Sequence, residues 1–169
     1  TVTTSSITLT VLSISQFTDN HANDVYLAGT QGSFFLVGTG FNNVQLQSST
    51  NGGTTWSNVG PPSTQSSPAT ITTPSLMPTD NQNQFRVVVS YNSGAVTTTS
   101  SSITITVFGI SQQPQNQVIV AGSETATFSI MVDGAAPDSI TWQAMALGSG
   151  FFTNVGAGLS VSVTSPPGA

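Results

Sequence analysis

The sequence repeats itself at a spacing of 96 residues, and this repeat limits the possible folds more than any other feature. Residues 4–11 (TSSITLTV) recur as residues 100–107 (SSSITITV), with Ile7 and Ile103 in equivalent places. Residues 44–47 and 58–60 have counterparts in residues 140–143 and 154–156, at the same spacing and in the same order. Such a period predicts a tandem array in which each repeat is one structural unit with the same fold.

The phase of the repeat divides the chain into three parts. Residues 1–11 match the last strand of a repeat, residues 12–107 make one complete repeat, and residues 108–169 open another. The last part has no counterpart of residues 84–90 or of the strand that follows them. We therefore expect the end of a preceding domain, one complete domain, and a second domain without its final strands. Residues 1–11 are alternatively a strand donated to the open sheet edge of a neighbouring molecule.

Apolar and polar residues alternate along much of the chain, as in residues 7–11, 85–89, 103–107 and 126–130. A period of two is typical of half-buried strands, and turn pairs such as Asn51-Gly52 separate these runs. No window has a helical period. Short strands and turns at this density predict an all-β protein, either a sandwich or a barrel.

The residues at these positions resemble bacterial and phage immunoglobulin-like repeat domains of surface proteins and fibres. The opening strands are matched by residues 113–118 and 140–143, and the closing strands by residues 81–89 and 101–107. The resemblance implies tandem Greek-key β-sandwiches. Three landmark positions of that fold are occupied by Trp142 on strand C, Phe85 at the tyrosine corner and Val87 in place of a cysteine. Since the sequence has no cysteine, no disulfide is expected.

Charge is unusually scarce, because only 4% of the residues are charged and Arg86 is the single cation. An average domain devotes about a quarter of its residues to charge. Here about three residues in ten are Ser or Thr instead. One cation cannot neutralise a phosphate backbone or an anionic membrane surface, so we expect no nucleic-acid binding. No apolar run approaches the length needed to span a bilayer, so we expect no membrane insertion. The single histidine, His21, and the lack of cysteine leave few catalytic groups, so we expect no enzyme.

Four features could belong to a functional site, and each also has a purely structural interpretation. Residues 49–56 (STNGGTTW) resemble the Asp-box hairpin of sialidase-type propellers, but we interpret them as a tight turn. Asp19 and Asp24 are candidate ligands for calcium at the joint between repeats, against a plain solvated loop. They are also one of two acid pairs that a glycosidase would need, the other being Asp133 with Asp138, and we expect no catalysis from either.

The remaining two features concern aromatic and basic side chains. Trp56 and Tyr91 are candidate aromatic contacts for a glycan. Arg86 lies near Asp80 in the sequence, and we expect a surface ion pair between them.

These expectations favour a non-enzymatic structural or adhesive segment of an extracellular bacterial filament or surface fibre. We expect it to bind itself or adjacent repeats head-to-tail and to need no cofactor. One alternative is a virion fibre or capsid-decoration protein of a phage that binds host surface glycans. Another is the accessory carbohydrate-binding module of a secreted hydrolase. The phage alternative keeps the fold and changes the particle that carries it.

Overall fold

The computed structural model describes residues 9–21, 24–92, 94–120 and 125–164. The chain folds as two compact units, Thr1–Val107 and Phe108–Ala169. The expectations for residues 1–8 lie outside the described residues. No helix in the described part of the chain is long and apolar enough to cross a membrane.

The first unit is built from short strands, and a 3-10 turn spans Pro78–Asp80. In chain order its strands are β1 (Ser13–Asp19), β2 (Val25–Leu27), β3 (Gln31–Thr39), β4 (Asn43–Ser49), β5 (Ser57–Asn58), β6 (Ser63–Thr64), β7 (Ala69–Ser75), β8 (Gln84–Tyr91), β9 (Val96–Thr99) and β10 (Ile103–Thr104).

Two antiparallel sheets form this unit. One has the order β1-β3-β7, and the other has the order β10-β8-β4-β5, with β6 added to β4 and β9 added to β8. The chain therefore crosses from the first sheet to the second after β3, returns to the first at β7 and crosses again at β8, which gives the A-B-E and G-F-C-C′ sheets of an immunoglobulin-like Greek-key sandwich. The predicted all-β class is confirmed.

The core lies between the two sheets and follows the alternation of the sequence. In β3 and β8 every second residue is buried, and β4 follows the same alternation up to Leu46. The ring of Phe34 on β3 lies 5.4 Å from Phe17 on β1 and 5.5 Å from Phe85 on the opposite sheet. Phe34 and Val87 are both 0% exposed. Burying one such side chain stabilises the fold by about 1.5–3 kcal/mol, so apolar packing takes the role that a disulfide has in antibody domains.

The second unit contains counterparts of the opening strands of the first. Its strands are β11 (Thr106–Gln112), which begins at the end of the first unit, β12 (Thr125–Ser129), β13 (Met131–Gly134), β14 (Thr141–Ala144), β15 (Thr153–Ala157) and β16 (Ser160–Thr164). The pairs are β11 with β13, β12 with β16, and β14 with β15, all antiparallel.

Two structural details recur at the spacing of the sequence repeat. The register shift between Ile14 and Gln16 on β1 has its counterpart between Ile110 and Gln112 on β11. The Gln47 Nε2 atom donates to Asn58 Oδ1 at 2.9 Å, and Gln143 Nε2 donates to Asn154 Oδ1 at 3.1 Å. The sequence repeat is therefore also a repeat of backbone irregularity and side-chain hydrogen bonding.

Burial differs between the two units. Trp142 occupies the strand C position that the resemblance assigned to it, but it is half-buried, and its Nε1 donates to the Gly158 carbonyl at 2.8 Å. Its equivalent Leu46 is 5% exposed. Among the described residues of the second unit, Ala126 is the buried apolar one.

Candidate functional site

The loop between β4 and β5 is a self-contained network of hydrogen bonds. The Ser49 hydroxyl is 2% exposed, donates to Asn51 Oδ1 at 2.9 Å and accepts the Gly53 N–H at 2.9 Å. Asn51 Oδ1 also accepts the Thr55 N–H at 2.9 Å. Gly52 and Gly53 have φ values of +68° and +86°, which a residue with a side chain rarely adopts. The predicted tight turn is present, and its polar groups are occupied in holding the loop.

Trp56 is the last residue of this loop, and Arg86, the single cation of the sequence, lies over one face of its ring. Its Nε1 donates to the Gly53 carbonyl at 2.9 Å, and the Arg86 guanidinium carbon lies 4.1 Å from the centre of the ring. The Arg86 Nε donates to Gln47 Oε1 at 2.9 Å. The predicted ion pair of Arg86 with Asp80 is wrong, because the guanidinium stacks on an aromatic ring instead.

Asp80 uses its carboxylate to close the 3-10 turn. One oxygen accepts the Met77 N–H at 2.8 Å, and the other accepts Asn83 Nδ2 at 3.0 Å. Because both carboxylate oxygens make these local contacts, the proximity of Asp80 to Arg86 in the sequence did not predict an ion pair correctly.

The two predicted glycan contacts do not form one platform. Tyr91 lies five residues beyond Arg86 along β8, which corresponds to roughly 17 Å, and alternate residues face opposite sides of a sheet. Tyr91 is 43% exposed, whereas Trp56 is half-buried and is covered on one face by Arg86. Tyr91 is therefore the more accessible of the two rings.

The predicted acidic pair at the start of the complete domain does come together. The Tyr26 hydroxyl donates to Asp19 Oδ1 at 2.5 Å, and the same oxygen accepts the His21 N–H at 2.7 Å. The Tyr26 oxygen accepts the Ser33 N–H at 3.2 Å, so β2 is tied to β3. The His21 ring lies 4.5 Å from the Tyr26 ring. Tyr26 is 1% exposed and joins this polar cluster to the core.

The electrostatics of this cluster favour protonated groups. Burial, followed by the charge of Asp19 and a hydrogen bond with it, raises the pKa of Asp24 above its ordinary value. Burial and then the hydrogen bond to Asp19 raise the pKa of Tyr26 above its ordinary value of 10.0. Asp19 Oδ2 is buried and has no hydrogen-bond partner among the described residues.

Calcium takes six to eight oxygen ligands, which two carboxylates supply only in part. No group of three or more His, Cys, Asp or Glu side chains that could hold a metal occurs in residues 9–21, 24–92, 94–120 and 125–164. Calcium binding by Asp19 and Asp24 stays a prediction.

A groove of about 340 Å³ opens at the side of the first sandwich, between β7 and the loop that carries β5 and β6. Its apolar floor includes Val44, Leu46 and Ile71, and Thr73 and Pro74 form one rim. The residues that line it are uncharged. The groove has room for a small extended group but offers it no acid, base or cation.

Sequence reasoning missed the partnership of Tyr26 with Asp19 and the burial of the Ser49 hydroxyl. The pair is seven residues apart across a loop, and no local pattern links the two side chains. Ser49 bonds the turn through Asn51 Oδ1 and the Gly53 N–H, and no periodic signal in the sequence indicates these contacts.

The strand order defines the class of protein, an immunoglobulin-like β-sandwich in tandem. No family model matches the sequence, and no curated protein matches it. Among solved structures, the chain is similar to a chimeric titin Z1Z2-Z1Z2 tandem functionalised with a GRGDS peptide from fibronectin. That likeness has 14% identity and a TM-score of 0.37 and covers 93% of this chain and 86% of the other. A similarity of this size adds nothing to the assignment, which rests on the observed topology.

Proposed function

We propose that the chain is a non-enzymatic structural segment of an extracellular bacterial filament or surface fibre, in which successive immunoglobulin-like repeats act as spacers. The observation that carries this proposal is the recurrence of one unit, with the same strand irregularity and the same Gln–Asn hydrogen bond, in both parts of the chain. Proteins that stack identical units are built for length and regular spacing.

The distribution of reactive groups supports a mechanical role. The sequence has one histidine, one cation and no cysteine, so side chains that activate nucleophiles are scarce. The polar side chains of the β4–β5 loop, which resembles a glycosidase motif, are bonded to one another. Their positions serve the turn, and residues 49–56 contain none of the carboxylates that glycoside hydrolysis needs.

The surface chemistry supports an extracellular location and cohesion without ion pairs. The chain combines 4% charged residues with a hydroxyl-rich and amide-rich exterior. Contacts between such repeats depend on backbone hydrogen bonds and apolar packing, which salt screens little. We expect assemblies of this protein to keep their length between low and high ionic strength.

Immunogold electron microscopy of the cells or particles that make the protein tests this function. Antibodies against the chain should label filaments or fibres at regular intervals, and the labelled filaments should survive a change from low to high salt. Labelling of phage particles would assign the same spacer role to a virion. Labelling confined to the cell interior, or filaments that dissociate in salt, would contradict the proposal.

Glycan binding is the second function to be tested, because Tyr91 is an exposed aromatic ring on the first unit. A glycan array probed with the chain and with Tyr91→Ala distinguishes it. Binding that Tyr91→Ala abolishes would favour an adhesive or carbohydrate-binding module, and an array without hits would leave the spacer role.

A further inference from the structure

β7 is an edge strand of the first unit, and no strand in the described part of the chain lies along its outer side. The direction of its backbone groups follows from β3, whose alternate residues face opposite neighbouring strands. The Gly32 N–H donates to Thr73 Oγ1 on the β7 side at 2.8 Å. The next carbonyl group, that of Ser33, accepts the Asn20 N–H on the β1 side at 3.0 Å. Even-numbered residues of β3 therefore face β7, and odd-numbered residues face β1.

The register of β7 with β3 determines which residues of β7 face outward. Phe34 of β3 is opposite Ile71, so Ile71 directs its backbone N–H and C=O to β3. Thr70 and Thr72, on either side of Ile71, direct theirs away from the sheet. Two residues apart along a strand, they are separated by roughly 7 Å. The open edge of β7 thus presents two donors and two acceptors to a further strand.

Prolines limit this open edge at both ends. Pro68 directly precedes β7, and Pro74 is the last residue but one of β7. Because proline has no N–H, a strand added to this edge finds both a donor and an acceptor only at Thr70 and Thr72. The window between the prolines is symmetric, since Ile71 is three residues from each of them.

The surface beside this edge is apolar and uncharged. The groove of about 340 Å³ opens along β7, and Val44, Leu46 and Ile71 contribute to its floor. Residues 25–79, which include β7, contain no charged side chain. Sheet edges commonly carry charges that keep a second copy away. Two copies of this edge approach each other without repulsion of like charges and without the desolvation of an ion.

We propose that β7 of one copy of this chain pairs with β7 of a second copy, antiparallel and across a two-fold axis. In the symmetric register Ile71 is opposite Ile71 of the second copy, and Thr70 is opposite Thr72 of the second copy. Every outward backbone group of the two threonines is then bonded. A shift of two residues in either direction places Pro68 or Pro74 opposite a threonine and loses hydrogen bonds. Both copies use the same surface, so the contact closes as a pair.

This inference rests on the proposed spacer function for its purpose, because it joins two spacers side by side. The second strand lies along the groove and covers its apolar floor, which adds to the backbone hydrogen bonds. A weak contact suffices for this purpose, because repeats of neighbouring fibres are held at a high effective concentration.

Sedimentation velocity over a wide range of protein concentration tests the pairing. The expected result is a reversible equilibrium between monomer and dimer. Thr70→Lys combined with Thr72→Lys should weaken dimerisation by at least about tenfold at low salt, because the lysines of the two copies face each other. Both threonines are exposed, so this variant should keep the parent midpoint of thermal unfolding.

A charge exchange tests the register itself. Thr70→Glu combined with Thr72→Lys places opposite charges in both facing pairs of the symmetric register. It should restore dimerisation to within about threefold of the parent value. Thr97→Lys combined with Thr99→Lys is the matched control, since it adds the same charge at exposed positions of β9, on the other sheet. This control should also stay within about threefold of the parent value.

Hydrogen exchange gives the readout for single residues. The amides of Thr70 and Thr72 should gain protection as the protein concentration rises. The amide of Ile71, which faces β3, should be protected at every concentration.

A chain that stays monomeric at every concentration would overturn the pairing. A monomer in which a neutral oligosaccharide or an uncharged peptide protects the Thr70 and Thr72 amides would overturn it in favour of that ligand. Failure of the charge exchange to restore dimerisation, or an equal loss in the β9 control, would overturn it as well. These results leave the spacer function intact, whereas dimerisation without labelled fibres in the immunogold experiment would refute the proposed function alone.

Discussion

Replacing Tyr26 with phenylalanine should destabilise the first unit far more than the loss of one oxygen atom suggests. The Tyr26 hydroxyl donates to the Asp19 carboxylate at 2.5 Å and accepts the Ser33 N–H at 3.2 Å, in a side chain that is 1% exposed. A hydrogen bond to a charged group contributes about 1.5–3 kcal/mol, and an ordinary one about 1 kcal/mol. Because Asp19 Oδ2 already has no partner among the described residues, Tyr26→Phe leaves the carboxylate still less satisfied.

The expected loss is about 3 kcal/mol in the free energy of unfolding, a large share of the 5–15 kcal/mol that stabilises a typical domain. For a domain of this size the midpoint of thermal unfolding should fall by roughly 10–20 °C. Urea unfolding monitored by tryptophan fluorescence measures the effect. A Trp142→Phe background leaves Trp56 as the single tryptophan, so the signal reports the first unit.

Tyr91→Phe is the matched control, since it makes the same chemical change at the other tyrosine of the chain, which is 43% exposed. It should change the free energy of unfolding by less than about 0.5 kcal/mol. A double-mutant cycle of Tyr26→Phe with Asp19→Ala should give a coupling energy above about 1 kcal/mol. If Tyr26→Phe and Tyr91→Phe have the same effect, Tyr26 is held by packing alone and the reasoning fails.

Three further changes test the polar network. Asp24→Asn should stabilise the first unit more at pH 7 than at pH 4 in urea titrations, because the raised pKa of Asp24 means that the folded state loses stability as pH rises through it. Ser49→Ala should lower the free energy of unfolding by about 1–3 kcal/mol, since the Gly53 N–H loses its acceptor. Arg86→Met should cost about 0.5–1 kcal/mol through the lost aromatic contact, and this loss should be equal at 0.05 and about 1 M salt. Thermal melts measure the last two, and a Ser49→Ala value near zero or a strong salt dependence at Arg86 would contradict the structure.

The sequence predicted those parts of the fold that depend on period and composition. The alternation in residues 85–89 places Phe85, Val87 and Val89 in the core, and all three are at most 3% exposed. The Asn51-Gly52 pair predicted its turn because only a few residues adopt positive φ, so the signal is local. The sequence also predicted that Asp19 and Asp24 lie near each other, because they are five residues apart and flank one loop.

Interactions between distant strands were less accessible to such reasoning. Arg86 and Trp56 are brought together by the pairing of β8 with β4 and of β4 with β5, and the register decides which side chains meet. The sequence favoured Asp80 because it is near in the chain and opposite in charge. A sheet instead places Arg86 directly across from Gln47, and the ring of the adjacent loop covers the guanidinium.

A chain with so little charge uses amide side chains to form hydrogen bonds between its exposed strands. Gln47 shows the principle, since its amide donates to Asn58 on one neighbouring strand and accepts from Arg86 on the other. Gln143 and Asn154 repeat half of this arrangement in the second unit. Neutral amides neither titrate nor attract counterions, so these contacts keep their strength at any pH or ionic strength that leaves the backbone folded. The same composition leaves few of the charges that normally keep strand edges from pairing with other chains.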